Sequence, residues 1–147
     1  MKGYTSETIR NVALLGHGGC GKTTFLEAAL LATGVTNRMG RVEDGNTVSD
    51  YDKMEIERGY SINTSVVPIL WKENKINFID TPGYFDFVGE VNAALRAAEA
   101  AVIMVDAGSG IQVGTEAAWK ACERYKTPRF IVINKRDKDE FDFYKTF

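Results

Sequence analysis

The sequence predicts an α/β protein in which helices cover both faces of a mostly parallel sheet, giving a three-layer sandwich. Two observations predict this class. Apolar runs of strand length alternate along the chain with segments whose apolar residues recur at helical spacing. Three clusters of glycine and polar residues, at positions 16–23, 80–83 and 134–137, each directly follow an apolar run. Because parallel strands end at one edge of their sheet, we expect the clusters to form one site.

The first part of the chain supplies a strand, a helix and a long connection. Residues 9–15 are almost continuously apolar, as in a parallel strand that is buried on both faces. Apolar residues at helical spacing predict a helix over residues 22–32, and Gly34 is a natural stop for it. Residues 35–61 show no periodicity and many Gly, Asn, Asp and Glu residues. A loop of that length inside a domain is typically functional.

The rest of the chain supplies four strands and two helices. Alternation predicts a strand over residues 62–71, and residues 75–80 form a second, with a hairpin at Glu73-Asn74 that makes one strand antiparallel. In the remaining sequence, apolar runs again indicate strands and apolar residues at helical spacing again indicate helices. They predict a helix at 89–98, a strand at 100–106, a helix at 112–125 and a strand at 129–134.

Bulk composition excludes several classes of protein. The 147 residues are 44% hydrophobic and 26% charged, as in an ordinary globular domain. A formal net charge of −2 provides no basic face, so we expect no binding to free DNA. Two cysteines suggest no disulfide framework and favour a reducing, cytoplasmic compartment. No signal peptide and no membrane span is predicted, and we expect no membrane partner.

The segment Gly16-His17-Gly18-Gly19-Cys20-Gly21-Lys22-Thr23 carries the most specific signal. It has the form G-x-x-x-x-G-K-T between a predicted strand and a predicted helix that continues through Thr24. In this arrangement backbone N–H groups point at a polyphosphate, the lysine adds a positive charge and the threonine hydroxyl can bind Mg²⁺. The helix N-terminus favours the same anion. The pattern predicts a P-loop NTPase that binds a nucleoside triphosphate.

Asp80-Thr81-Pro82-Gly83 closes the second strand of the hairpin. An aspartate at that place can hold Mg²⁺ beside the Thr23 hydroxyl, usually through water. Gly83 lets a backbone N–H approach a γ-phosphate. Alone, the motif is equally typical of an acidic strand end followed by a Pro-Gly turn.

Asn134-Lys135-Arg136-Asp137 follows the last predicted strand. The Asp137 carboxylate can accept two hydrogen bonds from guanine N1–H and the 2-amino group, whereas adenine offers neither donor in that geometry. Asn134 can tie this loop to the phosphate loop, and the Lys135 stem can lie along the base. The motif predicts selection of GTP over ATP.

The three motifs in this order resemble the GTPase superfamily, and the intervening residues narrow the resemblance. The segments at 41–47, 57–62 and 80–87 closely resemble translational GTPases, above all elongation factor G and its elongation-factor-G-like bacterial paralogues. The resemblance covers residues 9–145. It implies a GTP-binding (G) domain over residues 1–147 that takes GTP, GDP and Mg²⁺ and that acts on the ribosome through the full-length protein.

The resemblance also assigns roles to residues. It makes 16–23 the phosphate loop, about 35–61 switch I, about 80–88 switch II and 134–137 the guanine loop. Thr23, Ser61 and Asp80 become the Mg²⁺ residues; Ser61 stands at a position where the family has threonine and keeps the hydroxyl. Lys22, Gly83 and Tyr84 become the catalytic group. The switches are ordered by the γ-phosphate and the metal, and are released after hydrolysis.

Two residues depart from the family pattern. Tyr84 replaces the histidine that orients the attacking water, and a phenol differs from an imidazole in length and reference pKa. Gly19 replaces an aspartate implicated in holding a monovalent cation, which puts stimulation by K⁺ in doubt. His17, the only histidine, is interpreted as a phosphate-loop position that contributes its backbone N–H and not as a catalytic base.

The resemblance further implies that the domain is incomplete at its C-terminus. Superfamily G domains carry another guanine-contacting loop, a last strand and a helix, and residues 141–147 resemble the start of a helix cut short. We therefore expect weakened guanine affinity and self-association through the open edge of the strand at 129–134. Two alternatives to an active GTPase stay open: a slow or non-hydrolysing GTP-dependent switch, and a G domain of a ribosomal protection or release factor.

Overall fold

The computed structural model describes residues 3–137, in which five strands form one sheet. The strand order is β2-β3-β1-β4-β5, with β2 antiparallel to β3 and every other pair parallel. The predicted class, a mostly parallel sheet with one antiparallel strand, is confirmed. The strands are β1 Ile9–Gly16, β2 Ser65–Trp71, β3 Asn74–Asp80, β4 Ala100–Asp106 and β5 Arg129–Asn134.

Helices cover both faces of the sheet because alternate residues of β1 point to opposite sides. The helices are α1 Lys22–Ala32, α2 Lys53–Arg58, α3 Val88–Ala97 and α4 Val113–Tyr125, and a short 3₁₀ turn spans Phe85–Phe87. Leu14 packs in the cluster that contains Leu26 and Leu30 of α1, whereas Ala13 and Leu15 belong to the cluster beneath α3 and α4. Each buried leucine contributes about 1.5–3 kcal/mol to folding. Two apolar layers therefore fix β1, and with it the loop that follows.

The register of the strands brings their carboxyl ends to one edge. Leu14 is opposite Asp80 in the pairing of β1 with β3, and Gly16 is opposite Met104 of β4. Asp106 is opposite Asn134 in the pairing of β4 with β5. The three polar clusters therefore leave the sheet at the same edge, as the sequence predicts.

The connection at 35–61 contains a helix that the sequence analysis missed. Asp52 caps α2 by accepting a hydrogen bond from Met54 N at 2.8 Å, and Glu55 accepts one from Asp52 N at 3.3 Å. Gly59, with φ 68°, ends the helix. This is a capping box, and its D-x-x-E spacing followed by glycine was the available signal.

Two smaller differences concern the hairpin. The strand predicted at 62–71 begins only at Ser65, because the N–H groups of residues 62–64 donate to glutamate side chains and not to a strand. The turn lies at Lys72 and Glu73, since Asn74 already pairs with Trp71. Within residues 3–137 no helix is long and apolar enough to cross a membrane. The helix start predicted at 141–147 lies outside the described residues.

Candidate nucleotide site

The phosphate loop leaves β1 through a tightly packed glycine and enters α1 through another. A Cβ on Gly16 would come within 2.5 Å of the Met104 carbonyl oxygen, so β4 leaves no room for a side chain there. Gly21 has φ 97° and would direct a Cβ into the Asn134 amide group. Gly16 has φ 137°, so both positions require glycine for backbone conformation as well as for space.

Lys22 is buried beneath the loop, where only 6% of it is exposed. Its Nζ donates hydrogen bonds to the carbonyl oxygens of Gly16 at 3.2 Å and His17 at 3.0 Å. Switch II closes over this ammonium group, because a Cβ on Gly83 would lie 2.5 Å from Lys22 Nζ and 2.7 Å from Gly18 N. The Gly83 backbone therefore lies beside the positive charge and beside the loop.

The three predicted magnesium residues meet at one corner. Thr23 Oγ1 donates to Asp80 Oδ2 at 3.0 Å and lies 3.4 Å from Ser61 Oγ. Ser61 Oγ in turn donates to Asp50 Oδ1 at 2.7 Å. Residues from α1, β3 and the connection at 35–61 thus converge, and Asp50 joins the three that the sequence predicts.

Burial perturbs both carboxylates of this corner. Asp80 is 1% exposed, and desolvation raises its pKa to about 6, although Lys22 and the hydrogen bond from Thr23 oppose the shift. Desolvation also raises the pKa of Asp50, against the hydrogen bond from Ser61. Asp80 Oδ1 and Asp50 Oδ2 are buried without a hydrogen bond of acceptable geometry among the described residues. A nearby cation would favour the charged form of each carboxylate.

The donor set fits Mg²⁺. The described part of the chain contains no group of three or more His, Cys, Asp or Glu side chains able to hold a metal ion. The corner instead offers two hydroxyls and two carboxylates, all oxygen donors. Mg²⁺ prefers oxygen and is commonly held by one or two protein groups together with substrate phosphates and water. The residues present therefore fit the ion that the motif implies.

Asp50 is the site residue that sequence reasoning missed. The connection at 35–61 contains several acidic residues, and no spacing in the sequence distinguishes Asp50 from its exposed neighbours Asp44 and Asp52. Only the fold shows that Asp50 is 5% exposed and lies against Ser61. The resemblance to the family predicts Ser61, whereas its partner Asp50 can be identified only from the structure.

The guanine loop is tied to the phosphate loop. Asn134 Nδ2 donates to the Cys20 carbonyl oxygen at 3.1 Å, which is the connection that the sequence suggested. Lys135 Nζ donates to the Gly19 carbonyl oxygen at 2.6 Å and pairs with Asp106 Oδ2 at 2.8 Å. Asp137, the predicted guanine acceptor, is exposed at the end of the described chain.

Switch II starts from an anchored strand end and reaches an exposed tyrosine. Thr81 Oγ1 donates to the Leu14 carbonyl oxygen at 2.6 Å, and Pro82 is fully buried. Tyr84 is 44% exposed, and its ring lies 4.7 Å from that of Tyr60 between centroids. The predicted catalytic residues Lys22, Gly83 and Tyr84 are thus contiguous around the loop.

These segments enclose an open pocket of about 230 Å³. Its wall includes Thr24 at the start of α1, in addition to Lys22 and Thr23. Cys20 is 1% exposed, and burial raises the pKa of its thiol, as expected of a packed side chain. His17 does not line the pocket; its Nδ1 lies close to Gly114 of α4 and has no hydrogen-bond partner among residues 3–137.

Comparisons with known proteins agree with this geometry. Residues 7–147 match the family described as the elongation factor Tu GTP binding domain. Elongation factor G of Granulibacter bethesdensis is 45% identical over 141 residues, 96% of this chain and 20% of the relative. The mitochondrial ribosome-releasing factor 2 of Drosophila melanogaster is 40% identical over 144 residues, 98% of this chain and 19% of the relative.

A solved structure has a similar level of sequence identity to this chain. A crystal structure of a protein from Thermus thermophilus superposes with a TM-score of 0.90 at 46% identity, covering 95% of this chain and 21% of that one. The chain therefore spans about a fifth of the length of the relatives it matches. It belongs to the elongation factor Tu GTP-binding domain family, within the group of G domains found in elongation-factor-G-like translational GTPases.

Proposed function

We propose that this chain is the guanine-nucleotide-binding domain of a cytoplasmic, ribosome-associated GTPase of the elongation-factor-G type. In this proposal it hydrolyses GTP to GDP and phosphate to drive a translocation-type step. The observation that carries it is the corner where Thr23, Ser61 and Asp80 meet beside the phosphate loop. That corner combines hydroxyls for Mg²⁺ with a buried lysine for phosphate, and the guanine loop is hydrogen-bonded to the same loop.

Each segment has a proposed part in binding. The phosphate loop 16–23 holds the phosphates through its N–H groups and Lys22, and the guanine loop 134–137 selects the base. Switch I, residues 35–61, contributes Ser61, and switch II, residues 80–88, contributes Asp80, Gly83 and Tyr84. Thr23, Ser61 and Asp80 would hold Mg²⁺, which supplies charge stabilisation to the phosphates when it is bound. Asp50 supports Ser61 through their hydrogen bond.

Hydrolysis in this site depends on positioning and electrostatics. Phosphoryl transfer develops charge on the phosphate oxygens, and preorganised donors lower its barrier. Lys22 already lies beneath the loop in a buried environment, and the Gly83 backbone lies close to it. Tyr84 is the polar side chain of switch II next to these groups, and we assign to its hydroxyl the orientation of the attacking water.

A second candidate function is a slow GTP-dependent switch. The specific observation in its favour is that Tyr84, which is 44% exposed, offers a phenol for orienting the water, and a phenol differs from the family's imidazole in length and reference pKa. Single-turnover hydrolysis of GTP, measured with and without ribosomes, separates the two functions. Phosphate release that ribosomes accelerate supports the GTPase. GTP binding with no phosphate release under either condition would contradict it and leave the switch.

Base selection is tested by calorimetry with GTP, GDP and ATP. We expect guanine nucleotides to bind at least about tenfold more tightly than ATP, since an unpaired polar partner costs about 1–3 kcal/mol. Asp137→Asn should lose this preference and gain affinity for xanthosine triphosphate, because its amide can donate to the 2-carbonyl of xanthine. Tighter binding of ATP than of GTP by the unmodified chain would overturn the assignment.

The edge of β5 supports a further partner, a second copy of the chain. Among the described residues β5 pairs only with β4, and Phe130 and Ile131 on it are 67% and 42% exposed. Unpaired strand edges with apolar side chains promote association. Light scattering should show a concentration-dependent dimer, and a monomer at every concentration would exclude this contact.

A further inference from the structure

Switch I and switch II touch through two tyrosines at the open end of the nucleotide pocket. The rings of Tyr60 and Tyr84 lie 4.7 Å apart between centroids and are inclined at 57°. Both residues line the pocket, and Tyr60 directly precedes Ser61. The contact therefore links a magnesium residue in one switch to the proposed water-orienting residue in the other.

The phosphate loop is shaped to receive the second ring. A Cβ on Gly18 would lie 2.9 Å from Cζ of Tyr84 and 3.1–3.2 Å from both Cε atoms. Gly18 does not have a positive φ, so its backbone conformation does not require glycine. The missing side chain at position 18 is instead the space into which the phenol ring fits. Tyr84 thus lies against both Gly18 and Tyr60.

Tyr60 is fixed in turn by the end of α2. Arg58 Nη1 donates a hydrogen bond to the Tyr60 hydroxyl at 3.0 Å, and Ser61 beside it bonds to Asp50. The side chain of Glu55 accepts hydrogen bonds from Ile62 N and Asn63 N, both at 2.9 Å. The position of Tyr60 therefore depends on these contacts, and the arrangement that they hold is called here the closed conformation of switch I.

We propose that Tyr60 is a positioning residue for Tyr84: by packing on its ring, it holds the phenol against Gly18 at the open end of the pocket only while switch I is closed. The assignment rests on the proposed GTPase function. It adds that ordering of switch I and placement of the water-orienting hydroxyl are one event. Aromatic pairs in such tilted arrangements are stabilising beyond the area they bury.

The test compares two substitutions at position 60 with a control on the same segment. Tyr60→Leu removes the aromatic contact, whereas Tyr60→Phe keeps the ring and loses only the hydrogen bond to Arg58. Tyr51→Leu removes a tyrosine that is 74% exposed. Single-turnover GTP hydrolysis should fall about tenfold or more in Tyr60→Leu, because small displacements of a positioned group cost up to about a hundredfold. Tyr60→Phe and Tyr51→Leu should stay within about threefold of the unmodified chain.

Affinity for GDP separates positioning from a general structural role. GDP lacks the γ-phosphate, so each variant should bind it within about twofold of the unmodified chain. A Tyr60→Leu chain that hydrolyses GTP normally would overturn the proposal, as would a Tyr60→Phe chain as slow as Tyr60→Leu. Equal losses of GDP affinity and hydrolysis in Tyr60→Leu would also overturn it, since they indicate a disturbed pocket.

A double-mutant cycle keeps the two proposals distinguishable. Combining Tyr60→Leu with Tyr84→Leu should add little to either change alone if one residue acts through the other. If the unmodified chain binds GTP without hydrolysing it, the GTPase proposal fails, and the cycle is measured on affinity for a non-hydrolysable GTP analogue. There a coupling of about two- to tenfold supports the positioning role, and additive effects exclude it.

Discussion

The phosphate loop and switch I line the same pocket, but different kinds of contact hold them. The phosphate loop follows β1, whose residues Ala13, Leu14 and Leu15 are fully buried in two apolar clusters. Switch I has little such support: Tyr51, Met54 and several other large apolar side chains in it are exposed. Carboxylates accept hydrogen bonds from its backbone and from the backbone of residues 62–64. The phosphate loop is therefore the core-supported wall of the pocket, and switch I is the attached wall, which hydrogen bonds hold in place.

Three glutamates, each on a different helix, accept these bonds from switch I or from the three residues that follow it. Glu27 of α1 accepts from Gly40 N at 2.9 Å and from Val48 N at 2.5 Å. Glu55 of α2 accepts from Ile62 N and Asn63 N, and Glu90 of α3 accepts from Thr64 N at 3.0 Å. Water can replace such bonds at a net cost of about 1 kcal/mol each, whereas apolar core contacts have no substitute in water. We therefore expect switch I to open more readily than the phosphate loop.

Gly21→Ala should produce the largest effect, because it strains the phosphate loop, the core-supported wall of the pocket. Alanine at φ 97° costs about 1–2 kcal/mol, and its Cβ also displaces the Asn134 amide from the Cys20 carbonyl. We expect the free energy of unfolding to fall by about 2–4 kcal/mol and GDP affinity to fall by more than about tenfold.

Gly34→Ala is the matched control for that variant. Gly34 has φ 72°, and a Cβ there would meet nothing within 4 Å. Urea denaturation should therefore show only the backbone strain of about 1–2 kcal/mol, with GDP affinity unchanged. Equal destabilisation by the two substitutions would mean that the contact between Asn134 and the phosphate loop contributes nothing.

Glu27→Ala tests the attached wall. Glu27 is 1% exposed, and its loss leaves the N–H groups of Gly40 and Val48 without their acceptor. We expect amide hydrogen exchange at residues 40 and 48 to accelerate by about ten- to a hundredfold, because a local opening loses about 1–3 kcal/mol of protection. Amides of β1 should exchange as before. Glu57→Ala, at an exposed position of α2, is the control and should change neither.

Ser61→Ala tests the contact between switch I and the phosphate loop. The variant keeps the backbone but removes the hydroxyl that lies 3.4 Å from Thr23 Oγ1 and that donates to Asp50. The Mg²⁺ concentration needed for half-maximal GTP binding should rise about tenfold, the loss of roughly one ligand bond of about 1.4 kcal/mol. Ser61→Thr retains the hydroxyl and should restore it. If alanine and threonine behave alike in a Mg²⁺ titration, Ser61 is not a metal residue.

The sequence predicts the core-supported wall of the pocket better than the attached wall. The core-supported wall was predictable: the strands, the order of the motifs and the contact from Asn134 to the phosphate loop depend on local patterns and on sheet topology. The attached wall was not. Nothing in the spacing of Glu27, Glu55 and Glu90 indicates that they accept hydrogen bonds from residues 40, 48 and 62–64, because hydrogen bonds between a side chain and a distant backbone N–H leave no periodic signal. Asp50 and the pairing of Tyr60 with Tyr84 escaped because contacts between side chains at distant positions leave no such signal either.

The smallest expected effect belongs to His17→Ala. His17 belongs to the phosphate loop and is the only histidine of the chain, so it is the obvious alternative to Tyr84 as the group that orients the water. Its ring, however, lies against α4: a Cβ on Gly114 would lie 2.8 Å from His17 Nδ1, and His17 does not line the pocket. GTP hydrolysis and GDP affinity should both stay within about twofold, the range of a substitution without a specific role. A loss of hydrolysis beyond about tenfold at constant GDP affinity would place the water-orienting group on the core-supported wall, and switch II would then be needed for binding alone.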